Sequence, residues 1–151
     1  MGAGLRLQGR ALALVSLFVD TRVWSLALRR DSPGNAPERS RLREALASQE
    51  AVYTTGLVLQ ELLQGFRGPK ARDAIVERFA ALPMIVPDRE DYVVAAEIRN
   101  ACRREGVQLE TIDVLLVRLC LRHDLVMLTT DRDFHHAARH TPLRIWRPSG
   151  S

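Results

Sequence analysis

Lysine is all but missing from this chain: Lys70 is the one lysine in 151 residues, so nearly all of its basic side chains are arginine. Arginine carries a rigid fork of donors that matches paired oxygens, so a basic surface of this make suits a polyanion. A GC-rich genome accounts for the same bias with no function attached. Cysteine is scarce too. Cys102 and Cys120 each sit in an apolar, helical-looking pattern without a C-x-x-C neighbour. That excludes a disulfide scaffold and leaves two core thiols of a reducing compartment. Among the histidines, His136 and His140 stand one turn apart, but no cysteine or acid completes a tetrahedral zinc set at a recognisable spacing. Glycine is absent from Thr21-Arg22-Val23-Trp24, so a phosphate-cradling loop has no place after the first apolar run.

No apolar run is long enough to span a membrane. Arg6 and Arg10 precede Ala11-Leu12-Ala13-Leu14-Val15-Ser16-Leu17-Phe18-Val19, and Ser25-Leu26-Ala27 loosely resembles a cleavage site, which together imitate a secretory leader. Charge at Asp20 and Arg22 breaks the imitation. We read the run as a buried first strand, preceded by a loose extension over residues 1–14, with one domain over residues 15–148 and a cytoplasmic location. No internal repeat, low-complexity tract or linker interrupts it.

What is present is an ordinary globular composition, 46% apolar and 26% charged, with a net charge of +4 that speaks only to non-specific attraction. Short apolar, β-branched runs alternate with longer patterns of three- and four-residue spacing. Strands are expected at Leu14–Val19, Ala51–Tyr53, Met84–Val86, Val126–Leu128 and Leu143–Trp146. Helices are expected near 22–30, 38–48, 55–66, 70–81, 89–105 and 111–123, with a short turn near 132–138. The runs show little alternation, as in strands covered on both faces. Pro83 and Pro87 bracket the third strand and place it toward the sheet edge. Gly68-Pro69 separates two helices, and Gly106 ends one. Such alternation through the whole chain implies an α/β fold of three layers, α/β/α, around a central, mainly parallel sheet of about five strands.

In open sheets of this kind, function gathers beyond the carboxyl ends of the strands. Asp20 ends the first strand, and Asp131 and Asp133 directly follow the fourth in Leu128-Thr129-Thr130-Asp131-Arg132-Asp133-Phe134. Each acid alone has a plain structural reading. Asp131 suits the N-cap of the short helix after it, and Asp113 sits in the favoured first turn of the helix opened by Thr111. Glu61 shares a polar stripe with Gln60 and Gln64. Gathered at one lip of a sheet, however, such carboxylates repel one another and favour a hard divalent ion, Mg2+ or Mn2+, which takes oxygen ligands and keeps some waters.

Four blocks in order bring in a resemblance. Phe18-Val19-Asp20-Thr21-Arg22-Val23-Trp24, Thr55 through Glu61-Leu62, Thr111-Ile112-Asp113-Val114-Leu115-Leu116-Val117 and Leu128-Thr129-Thr130-Asp131-Arg132-Asp133-Phe134 resemble the motif blocks of PIN-domain ribonucleases. They are most similar to those of the VapC toxins of bacterial toxin–antitoxin pairs, over Ser16 to Trp146. The chain departs from the family pattern at Arg22, where a small serine is usual, and in the length of the segment before Ser16, for which a misplaced start codon is one explanation. The resemblance implies a Mg2+-dependent endoribonuclease in which Mn2+ can substitute. In it Asp20, Glu61, Asp113 and Asp131 are catalytic, and the metal lies among Asp20, Asp113, Asp131 and Asp133. Cleavage would leave a 5′-phosphate and a 3′-hydroxyl. Thr21, Thr129 and Thr130 are expected to aim carboxylates by hydrogen bonds. A VapB-like antitoxin covering the acidic pocket and a homodimer are the implied protein partners, with helices 22–30 and 38–66 offering apolar positions for such surfaces.

An acidic pocket repels phosphate, so the RNA must be gripped from its rim. Arg22 and Arg132 are the first candidates, followed by Arg67, Lys70, Arg99, Arg103 and Arg104, although charges on helices are often only a solvated face. Rings for base stacking are few: Trp24, Tyr53, Phe66, Tyr92, Phe134 and Trp146, most of which read as core. A phosphatase with an Asp nucleophile wants a second Asp at position 22, and a signalling receiver wants a late lysine; neither is there. A PIN-like RNA-binding or scaffold module that does not cut remains the alternative.

Overall fold

The computed structural model describes residues 15–29 and 34–149; the expected extension over residues 1–14 lies outside them. Five strands form a single parallel sheet in the order β3-β2-β1-β4-β5: β1 (Leu17–Val19), β2 (Val52–Thr55), β3 (Met84–Ile85), β4 (Val126–Leu128) and β5 (Arg144–Ile145). Seven helices among the described residues connect and cover them. They are α1 (Thr21–Leu28), α2 (Pro37–Ala47), α3 (Gly56–Gly65), α4 (Pro69–Ala80), α5 (Arg89–Arg104), α6 (Thr111–Arg122) and α7 (Arg132–Ala138).

The run Leu17-Phe18-Val19 is fully buried, because the strand at the centre of the sheet has helices over both faces. β3 forms one edge, where Pro83 and Pro87 limit it to two residues. Local chemistry sets the helix ends. Thr55 caps α3 by accepting from Val58 N at 3.3 Å, and Pro37 and Pro69 open α2 and α4, where a missing N–H costs nothing. Asp88 and Asp91 close a reciprocal capping box at the start of α5. Gly106, at φ +80, takes the left-handed turn that follows α5. The helices pack in two groups: α1 against α2 and α3, with α4 against α3, and α5 along α6. α6 is the most deeply set, burying Val114, Leu115, Leu116, Val117, Leu119 and Cys120. Cys102 and Cys120 are free core thiols.

The order of the strands decides where a site can form. From β1 the chain moves to β2 on one side and later returns to β4 on the other, so the connections diverge at the carboxyl end of β1. A crevice opens where they part.

Candidate active site

β1 and β4 are neighbours with Val19 opposite Leu128, so the residues just past their ends, Asp20 and Thr129, are brought together. Thr129 Oγ1 donates to Asp20 Oδ2 at 2.9 Å and accepts from Asp131 N at 2.9 Å. One buried hydroxyl thus ties the two acid-bearing turns. Asp131 caps α7, its Oδ1 accepting from Asp133 N at 2.9 Å, while its Oδ2 faces Arg22 Nη2 at 3.7 Å. The structural reading of Asp131 and its place in the site therefore hold for the same carboxylate. Glu61 projects from α3 and accepts from Thr21 Oγ1 at 3.3 Å. Asp113, half-buried, lies in the first turn of α6.

These elements wall a cavity of about 500 Å3 lined by Asp20, Thr21, Arg22, Glu61, Glu110, Thr111, Ile112, Asp113 and Asp131. Burial pushes the Asp20 carboxyl up to about 6 and the charge of Asp131 adds to it, against the opposing pull of Thr129, the Thr21 backbone and Arg22. Asp113 is also pushed up to about 6, first by burial and then by the charges of Asp20, Asp131, Glu61 and Asp133. Acids spread over more than a hundred residues of sequence are therefore within electrostatic reach of one another. Among the described residues, no group of three or more His, Cys, Asp or Glu side chains is gathered tightly enough to hold a metal ion as it stands. The acids surround the cavity without closing on a point.

Not every expected residue faces the cavity. Asp133 is exposed and lies off its lining, contributing its backbone N–H to Asp131 and its charge to Asp113. Thr130 is half-buried and, among the described residues, makes no hydrogen bond to a site acid; Thr129 holds that position alone. Arg132 is exposed at the start of α7, outside the lining. Arg99 donates to Leu109 O at 2.9 Å and Arg103 to Asn100 Oδ1 at 3.1 Å, so both serve the fold. Trp24 and Phe134 are core, and Tyr92 is 57% exposed. The expectation missed Glu110, at the N-cap of α6. Its spacing of three from Asp113 was the available signal, since residues three apart share a helix face.

Beside the acidic cavity runs an apolar groove of about 700 Å3 between β3, α5 and the starts of α3 and α6. The two share Thr111 and Ile112. No helix among the described residues is long and apolar enough to cross a membrane.

The chain belongs to the PIN-domain family, whose model matches residues 17–140. Among characterised relatives it is 29% identical, over 117 residues, to Ribonuclease VapC23 of Mycobacterium tuberculosis, a match covering 76% of this chain and 90% of the relative. The fold is similar to that in the crystal structure of VapBC2 from Rickettsia felis bound to a DNA fragment from their promoter. There the TM-score is 0.68 at 16% identity, covering 87% of this chain and 98% of the other. It is also similar to Mycobacterium tuberculosis VapC20, described as a Sarcin-Ricin loop cleaving toxin, with a TM-score of 0.63 at 21% identity, covering 85% and 99%.

Proposed function

We propose that this protein is a Mg2+-dependent endoribonuclease, the toxin of a toxin–antitoxin pair acting in the cytoplasm, and that Mn2+ can replace Mg2+. The observation that carries the reading is the arrival of Asp20, Glu61, Asp113 and Asp131 at one cavity on the carboxyl side of the sheet, in a chain of the PIN-domain family. The donor set fits a hard cation. The titratable groups lining the cavity are carboxylates and one guanidinium, with no thiol or imidazole, and two of the carboxyls are raised to about 6. A divalent ion would relieve that raised state. An ion of this type keeps several waters and is often held by one or two carboxylates, which suits acids set around a space. Asp20, Asp113 and Asp131 would hold it, with Glu61 beside them and Asp133 acting through Asp131.

When bound, Mg2+ supplies activation of a water for in-line attack and steadies charge on the leaving oxygen. The chain's own residues arrange the site. Thr129 fixes Asp20 and the turn bearing Asp131, Thr21 steadies Glu61, and Arg22 and Arg132 hold phosphates of the RNA strand at the rim. A 5′-phosphate and a 3′-hydroxyl are the products the family resemblance implies. Incubated with RNA, the purified protein should cut in Mg2+ or Mn2+ and stop in excess EDTA; cleavage that persists in EDTA would sink the assignment. Thr129→Val, which removes the shared hydroxyl and keeps the shape, should lower the rate by about 10- to 100-fold with the fold intact. A variant as fast as wild type would show that Thr129 serves the turn alone.

One observation favours a second reading: the acids do not close on a point. A non-cleaving PIN-like RNA-binding or scaffold module would bind RNA without Mn2+, and calorimetry with Mn2+ separates the two.

Partners follow from the relatives. The Rickettsia felis structure is of VapBC2 bound to a DNA fragment from their promoter, which supports a VapB-like antitoxin as the partner here; the acidic cavity is the place expected for it. A homodimer is the other expected assembly, and the apolar positions of 22–30 and 38–66 divide between the core and partly exposed places such as Leu28, Leu59 and Leu63. Val23, Trp24, Leu42, Ala45, Val58 and Leu62 of those stretches are all in the core. The exposed large apolar side chains include Val86 at 76%, Tyr92 and Met84, at or beside the sheet-edge strand β3 and the groove next to it. That groove is the face a second copy would cover.

A further inference from the structure

Arg22 occupies a place that a nuclease pocket would not obviously give to a cation. It sits in the first turn of α1, two residues after Asp20, and it is the one cation among the residues lining the acidic cavity. Its guanidinium is the partner of one particular oxygen. Asp131 Oδ1 is committed to capping α7 through Asp133 N, which leaves Oδ2 as the free oxygen, and Arg22 Nη2 stands 3.7 Å from it. The Asp131 side chain is largely buried at 14% exposure, whereas that of Arg22 is 67% exposed. The anion is therefore held in place and the cation is a long, solvated arm. Ion pairs of this exposed kind are weak, and the arm gives up little by moving.

Resting on the metal-nuclease reading above, we propose that Arg22 is a removable internal counter-ion of the site. Without a divalent ion, its guanidinium covers the free oxygen of Asp131. With that oxygen taken by the ion, the arm turns to the RNA and grips a phosphate next to the scissile one. Cation binding and substrate grip are thus exchanged through one side chain. The guanidinium suits both partners, since its fork matches a carboxylate and a phosphate alike. In the cavity lining no second cation is present to do the same. A passive, outward-pointing arginine would affect neither ligand. An arginine that only binds RNA would weaken RNA binding when removed and leave the ion's affinity alone. The exchange alone predicts two effects of opposite sign.

The test uses Arg22→Ser, which restores the small residue usual at this place in the family, and Arg22→Lys, which keeps the charge without the fork. Calorimetric titration with Mn2+ should show the ion binding about two- to fivefold more tightly to Arg22→Ser than to wild type, the range an exposed ion pair allows. Binding of a short single-stranded RNA is measured in saturating Mn2+ in a Glu61→Gln background, which keeps the three carboxylates that hold the ion while removing a catalytic acid, so that the strand is not cut. There Arg22→Ser should bind more weakly, with the slope of log affinity on log salt reduced by about 0.7, one phosphate contact on a single strand. Arg22→Lys should retain that slope. Melting temperatures should stay equal, since the side chain is outside the core. Unchanged Mn2+ affinity in Arg22→Ser, or an unchanged salt slope, overturns the exchange while leaving the nuclease reading standing. If wild type and variant both fail to bind Mn2+, the reading beneath falls and takes the exchange with it.

Discussion

Asparagine in place of Asp113 is expected to do two opposite things to one protein: lower RNA cleavage by at least about 100-fold, and raise the melting temperature of the metal-free fold at neutral pH. The first effect follows from charge. Asparagine keeps the shape of the side chain at the start of α6 but removes a negative charge from a cavity whose chemistry depends on attracting a cation. The second follows from what that charge does when no cation is present. Burial, and then the charges of Asp20, Asp131, Glu61 and Asp133, push the Asp113 carboxyl from 3.8 up to about 6.

The sign of the pH dependence is fixed by that direction. Below about pH 4 the group is protonated in both folded and unfolded chains and costs nothing. Between about 4 and 6 the folded state keeps a proton that the unfolded state has lost, so stability falls as pH rises. Above about 6 the full cost is present, on the order of 2 kcal/mol once the solvent that still reaches Asp113 is allowed for. Wild type scanned from pH 5 to 8 without metal should therefore lose melting temperature, and Asp113→Asn should lose less. Added Mn2+ should stabilise wild type by mass action and the variant far less. A variant no more stable than wild type at pH 7.5 would remove the electrostatic account, and one that still cuts would remove Asp113 from the site.

Much of this arrangement was legible in the sequence, because period and position carry physical meaning. Leu17-Phe18-Val19 could be read as a strand covered on both faces because no polar residue interrupts it, and the prolines around Met84-Ile85 pointed to the sheet edge that β3 takes. Asp20 and Asp131 stood out because they follow strands, and parallel pairing of β1 with β4 then brings their turns together. Glu61 and Asp113 lie on helices, where exposure and the helix dipole explain an acid equally well, so only the family resemblance singled them out. The rest depends on which surfaces meet. Apolar positions on α1, α2 and α3 looked available for a partner; Val23, Trp24, Leu42, Val58 and Leu62 among them fill the chain's own core, and the most exposed large apolar side chain, Val86, lies beside β3. The choice of Thr129 over Thr130 turns on which side chain points back toward β1 after the strand ends, a matter of a single residue.

Asp91 was the least legible of all, and replacing it should have the largest effect on the fold. Arg89-Glu90-Asp91 reads as an ordinary acidic first turn, but Asp91 is fully buried. Its carboxylate closes the capping box with Asp88 N at 2.9 Å, takes Arg118 Nε at 2.9 Å and makes a short bond with Arg122 Nη1, both arginines belonging to α6. Burial works to raise this carboxyl, but the Asp88 backbone and the two guanidiniums outweigh it and hold it below the ordinary range. A lowered carboxyl contributes stability that is present above about pH 4 and lost as pH falls below it. Asp91→Ala leaves Arg118 at the α5–α6 interface without its anion and Arg122 with Asp88 alone, at 3.0 Å, and breaking a buried pair in this way typically costs about 3–5 kcal/mol. For a chain of this size that is a fall in Tm on the order of 10 °C. Asp91→Asn should fall between, since it keeps the shape and loses the charge. Apolar packing on this helix is limited, with Ala95 and Cys102 the other buried positions on α5 and Ile98 packed partly against the core. A loss under about 1 kcal/mol in Asp91→Ala, measured by urea unfolding, would mean that solvent reaches the two arginines and that α5 is held to α6 by its few apolar contacts alone.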